Sequence, residues 1–265
     1  MVMLNMKLNT RQITLISIFA ALQVIISRLP GIPLIGVESG KIEPTVLLMP
    51  VIGILLGPWV GGLAVFIGNF IAWLIPSTSF FGMLMLPTGP IGAIVAGALA
   101  RNRRGADWKV AALILLFLNV FYLISPPGLA VPYFAALHVA ALILILAFRS
   151  KISEYVRSED KQKITWGTTL ASFSGIMANH MTGTLIFIAS VGWFIQLKGI
   201  KNAIKSLGFY WLKSGLPKMD PTGLGTLLAF VFPISVVERL VMTAIAVLIA
   251  VGIIYALKKS GMINI

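Results

Sequence analysis

The chain has 265 residues, 58% of them hydrophobic and 11% charged, with a mean hydropathy of +0.97 and a formal net charge of +13. That excludes disorder, a coiled coil and an ordinary soluble enzyme, because soluble domains carry about 25% charged residues. It also sets nucleic acid aside as a partner, since basic residues on so apolar a chain are explained by membrane topology.

A spanning helix needs about 20 residues. Charge-free apolar runs place spans near 12–28, 43–57, 58–75, 82–100, 109–125, 129–148, 168–194 and 229–257. This predicts an all-α, polytopic transmembrane helical bundle of about eight spans, forming one domain over 1–265. The first span follows Lys7 and Arg11. No small-x-small cleavage site follows Ser27-Arg28-Leu29-Pro30, so it reads as a retained helix and not a signal peptide. The next loop is rich in Pro and Gly from Pro30 to Gly36 and holds Arg28, Glu38, Lys41 and Glu43. It suits a gate over an outer cavity or an ordinary solvated loop.

Gly57-Pro58 predicts a tight turn between the second and third spans. Gly53, Gly57 and Gly61 recur every four residues, as do Gly92, Ala96 and Ala100, beside Gly89, Ala93 and Gly97. Such stripes let helix backbones approach closely. Pro50, Pro87 and Pro90 lie within spans and predict kinks or unwound stretches, which often border binding sites in membrane proteins. Ser125-Pro126-Pro127-Gly128 and Asp220-Pro221-Thr222-Gly223 mark further turns.

With a cytoplasmic N-terminus and eight spans, the inner segments collect most of the 21 basic residues. They include Arg101, Arg103, Arg104, Arg149, Lys151, Arg157, Lys161 and Lys258. This bias predicts a plasma-membrane protein with both termini in the cytoplasm. The violation is segment 196–227, which holds Lys198, Lys201, Lys205, Lys213 and Lys218. Ile200, Ile204, Leu207 and Trp211 recur at helical spacing there, with Lys201 and Lys205 on another face. This outer segment reads as an amphipathic helix in the interface, or as a lid that attracts an anionic solute.

Ionisable groups inside a membrane are costly and need an explanation. Glu238 and Arg239 fall near the middle of the last span, Asn179 and His180 near the middle of the one before, and Asn69 and His138 at similar depth. They serve either as interhelical glue or as a solute pocket. In a pocket, Arg239 and Lys41 would hold a carboxylate or phosphate, while His180, Asn179 and Asn69 supply neutral hydrogen bonds. Neighbours on a helix point about 100° apart, so Glu238 and Arg239 are expected to face different surroundings. No cysteine exists, and no nucleophile elbow, HExxH, phosphate loop or carboxylate cluster for a metal is present. The chain therefore reads as a non-enzyme without cofactor or metal, and any ATP hydrolysis must come from another chain.

Three stretches resemble the substrate-binding S components of energy-coupling factor (ECF) transporters. Arg11-Gln12-Ile13-Thr14-Leu15-Ile16-Ser17-Ile18-Phe19-Ala20-Ala21-Leu22 looks like that family's opening helix. Gly53-Ile54-Leu55-Leu56-Gly57-Pro58-Trp59-Val60-Gly61-Gly62, continuing to Gly68-Asn69, looks like its second-to-third helix turn. Phe232-Pro233-Ile234-Ser235-Val236-Val237-Glu238-Arg239-Leu240 looks like the start of its final helix. The resemblance implies uptake of a vitamin-like or other small micronutrient with a transmembrane T subunit and two ATPases, with release inside by toppling of the subunit. It implies docking of Ser17 and Ala21 on the T subunit, and a solute in the outer half. The family has six spans, so the surplus pair would be the 109–148 hairpin or an extension near 196–227. Its Ala-x-x-x-Ala stands here as Ser17-x-x-x-Ala21, and Asn69 replaces a commonly acidic position. Two readings compete: a stand-alone ion-coupled transporter with Glu238 or His180 as proton site, and a membrane enzyme in which both meet a lipid or small molecule.

Overall fold

The computed structural model describes residues 8–33, 41–75, 79–102, 105–206, 220 and 222–260. Helix α1 (Thr10–Ile26) begins on a capping box: the Asn9 side chain accepts from the Gln12 N–H at 2.8 Å, and Gln12 Oε1 accepts from the Asn9 N–H at 3.0 Å. Two short antiparallel strands follow, β1 (Ile32–Pro33) and β2 (Lys41–Ile42), with Pro33 opposite Lys41. Helices α2 (Thr45–Leu56) and α3 (Pro58–Leu74) form the expected hairpin. Gly57 joins them at φ 86°, a left-handed backbone that favours glycine, and Pro58 starts α3.

The fourth expected span is broken into α4 (Phe80–Leu84) and α5 (Thr88–Arg101). The interruption ends at Pro87, where an unwound stretch was expected. Next come α6 (Trp108–Ile124), α7 (Pro126–Ala130), a 3-10 turn at Pro132–Ala135, α8 (Ala136–Phe148) and α9 (Lys151–Arg157). The long helix α10 (Lys161–Ser190) starts at Asp160, whose side chain accepts from the Gln162 N–H at 2.8 Å. The chain ends through α11 (Leu197–Ser206) and α12 (Leu224–Lys259).

Helix α12 begins five residues before the expected 229, because Asp220 supplies a cap that the turn signal alone did not announce. Its carboxylate is buried and accepts from the N–H groups of Thr222 and Gly225. Gly223, at φ 77°, then opens the helix. The last part of the 196–227 segment is thus the first turn of α12. Residues 207–219, including Phe209, Tyr210 and Trp211, lie outside the described residues.

Among the described residues, the secondary structure is helical but for the two short strands. By length and composition, Phe80–Arg101 and Leu224–Lys259 can each cross a membrane. Pro132–Phe148 with Lys151–Arg157 adds a third only as a pair bent by 80°. The expected count of eight is finer than this, because Thr10–Ile26, Thr45–Leu56, Pro58–Leu74 and Trp108–Ile124 are apolar but short.

Helix α5 lies at the centre, packed on α2, α3 and α10. The small stripes make this possible. A Cβ on Gly97 would stand 2.6 Å from Gly53 O, and one on Gly175 would stand 2.7 Å from Gly92 O. The helices meet backbone to backbone, so only glycine fits. A second apolar cluster forms around Tyr122, Phe134 and Met181. The fully buried Tyr122 hydroxyl donates to Val131 O at 2.9 Å. Tyr122→Phe is expected to cost about 1 kcal/mol, because the Phe134 N–H still bonds the same carbonyl. The unfolding midpoint in detergent measures it.

Arg101, Arg157 and Lys258 gather at one end of the bundle. There Lys258 Nζ donates to Arg157 O at 2.8 Å and Ser158 O at 2.6 Å, Arg157 to Arg101 O at 3.2 Å, and Arg101 to Leu55 O. These cations satisfy carbonyls at helix C-termini that have no intrahelical partner.

Candidate functional site

A cavity of about 430 Å³ lies toward the other end of the bundle. The helices fix that position. The cavity touches the last part of α1 at Gln23, the start of α2 at Thr45, the end of α3 at Trp73 and the start of α5 at Thr88. The basic end holds the opposite termini of these helices, as Leu55 and Arg101 show.

Helical spacing aims the polar groups inward. On α10, Asn179, His180, Gly183, Thr184 and Phe187 fall on one face. On α12, Leu227, Leu228, Val231, Ile234, Ser235 and Glu238 do the same. The break before α5 puts Met85, Leu86, Thr88 and Gly89 on the cavity wall. Gly89 also makes room for a neighbour, since a Cβ there would stand 2.6 Å from Asn69 Nδ2.

Asn69, Asn179, His180, Glu238 and Arg239 therefore meet around one space. The expected divergence of Glu238 and Arg239 is corrected: both line the cavity, with Arg239 Nη2 3.6 Å from Glu238 Oε2. Their long side chains swing the head groups back across the 100° that separates them on the helix. Arg239 is 5% exposed. Its Nη1 points to Met242 Sδ at 3.4 Å, while its Nε and Glu238 Oε1 are buried without a hydrogen-bond partner. Arg239 thus has more donors than acceptors to receive them.

His180 joins a buried chain. Its Nδ1 lies 3.1 Å from His138 Nε2, and its Nε2 lies 3.2 Å from Ser235 Oγ. One hydrogen bridges each gap, so the tautomer of one ring sets that of the other. His138 stands behind His180, away from the large cavity. Gln23 donates from Nε2 to Asn69 Oδ1 at 3.3 Å, linking α1 to α3 at the cavity wall. The amide of Asn179 has no hydrogen bond among the described residues.

Of the remaining expected residues, the side chain of Lys41 lies outside the described residues, and only its backbone in β2 is placed. Ser17 and Ala21 are exposed on α1 beside Ile13, Ile18 and Leu22. The Ser17 hydroxyl donates to Ile13 O at 3.0 Å, which lets a polar residue sit on an apolar face.

Sequence reasoning missed Gln23, Glu43, Thr45, Trp73, Thr88, Thr184 and Ser235 as cavity residues. Signals existed for some. Gln23 is a lone amide in an apolar run, and Ser235 and Thr184 lie four residues from Arg239 and His180. Helix α11 also reaches the cavity's surroundings. Ile200 is fully buried and packs with Phe81, Leu224 and Leu227, of which Phe81 and Leu227 line the cavity. Lys198 and Lys201 stay exposed.

An apolar helical bundle with a cavity in one half, onto which several polar side chains open, fits a membrane protein that binds a small solute. The chain belongs to the family of ECF transporter substrate-specific components, whose match covers residues 11–255. That family consists of transporter components and not enzymes. The chain is also 35% identical over 152 residues to an uncharacterized protein of Methanocaldococcus jannaschii. This match covers 57% of the chain and 50% of that relative, so the chain spans about half the length of the curated relative it matches. No solved structure matches.

Proposed function

We propose that this chain is the membrane-embedded solute-binding subunit for uptake of a vitamin-like or other small micronutrient, energised by separate ATPase partners. The observation that carries the reading is the cavity itself. A guanidinium with unmet donors and several neutral amides face one space in the half of the bundle away from the basic end. The positive-inside rule places that basic end in the cytoplasm, so the cavity faces outward for capture. Eight spans with both termini inside complete this topology, with the shorter apolar helices crossing as tightly packed members of the bundle.

A T subunit and two ATPases would then drive release on the inner side. The exposed face of α1 offers the docking surface, where Ser17 and Ala21 leave room for a partner helix. Ser17→Trp with Ala21→Trp is expected to abolish co-purification of the T subunit and leave solute retention unchanged. The primary test is reconstitution. Uptake into liposomes is expected only when the T subunit, both ATPases and ATP are present, and uptake by this chain alone would overturn the reading.

A further inference from the structure

We infer that the cavity takes an uncharged, flat nitrogen heterocycle whose ring N–H and C=O edge bridges Glu238 and Arg239. This rests on reading the cavity as the solute site and names its substrate class.

Charge supplies the first argument. The charged side chains that face each other on the wall are Glu238 and Arg239, one carboxylate against one guanidinium. An anion entering this space would compete with Glu238 for Arg239. Taking a net charge out of water is repaid only by an opposite charge with good geometry, and none is in excess here. The described wall therefore does not favour the carboxylate or phosphate that Arg239 alone suggested.

Hydrogen bonding supplies the second. The Glu238–Arg239 contact is 3.6 Å, longer than a hydrogen bond, and both groups keep unmet capacity. Glu238 lacks a donor and Arg239 lacks acceptors. A cyclic amide edge presents one donor beside one acceptor and can meet both without adding charge. Asn179 offers the same donor and acceptor from the facing helix. Leaving such groups unpaired costs about 1–3 kcal/mol each, so a solute that pairs them is selected over one that does not.

Shape supplies the third. Trp73, Phe81, Phe134 and Phe187 lie around the cavity, and the Phe134 ring is 5.6 Å from that of His180. Aromatic walls favour flat rings packed at such separations. The volume is within the range of small-molecule pockets.

The test is equilibrium dialysis of the detergent-purified full chain against hypoxanthine, thymine and lumazine, with nicotinate as an anionic ring of similar size. At least one amide-edge probe is expected to bind about tenfold more tightly than nicotinate. Glu238→Gln is expected to remove that preference. Asn179→Leu, away from the ion pair, is expected to weaken the amide-edge probe about tenfold while the protein still elutes as a single species. Nicotinate bound as tightly as every amide-edge probe overturns the substrate class and leaves solute capture standing. No retention of any probe overturns the substrate class, while the liposome uptake experiment decides solute capture.

Discussion

Arg239→Met is expected to destabilise the protein by about 3–5 kcal/mol, because it leaves Glu238 as a buried carboxylate without its cation. The side chains of Arg239 and Glu238 are only 6% and 13% exposed, so water does not replace the lost partner. The double variant Glu238→Gln with Arg239→Met is expected to recover most of the loss, since no uncompensated charge remains. Unfolding midpoints of the parent, single and double variants in one detergent measure this. A single variant as stable as the parent, or a double no better than the single, would show that the pair does not act as a unit.

Gly97→Val is the second large effect. The first added carbon would stand 2.6 Å from Gly53 O and 2.7 Å from the Gly57 carbonyl carbon. Both neighbours are backbone, so relief requires α2 and α5 to separate. Overpacking typically costs about 1–3 kcal/mol, and this substitution is expected at or above the upper end. It also disturbs the cavity, because α2 carries Thr45 and α5 carries Thr88. Solute retention should therefore fall with stability. Gly199→Ala is the control: nothing lies within 4 Å of its added carbon, and a shift within about 0.5 kcal/mol is expected. Equal behaviour of the two variants would refute the close-packed seam.

Much of this fold was legible because lipid forces simple rules. Gly57-Pro58 announced the α2–α3 hairpin, and the small stripes announced which faces touch. Depth counting brought Asn69, Asn179, His180, Glu238 and Arg239 to one level, and the structure places all five on one cavity. The count of spans was less legible, because short apolar helices, a bent pair and a broken helix look alike as hydropathy. The inward turn of both Glu238 and Arg239 was hidden, because backbone direction does not fix where a long side chain ends. Hydroxyl residues such as Thr45 and Ser235 gave little signal, since they occur throughout membrane helices as packing groups.

The backbone contacts around α5 also decide where this molecule can yield. Gly97 against Gly53 and Gly92 against Gly175 leave no side chain between helices to change rotamer and absorb a displacement. At the basic end, Lys258 and Arg157 fasten helix termini that are far apart in sequence. That half is tied together, and the short α4 and α11 lie at the opposite end. On the proposed function, a half held together in this way is expected to move as one piece, so that delivery of a solute across the bilayer involves motion of the whole bundle.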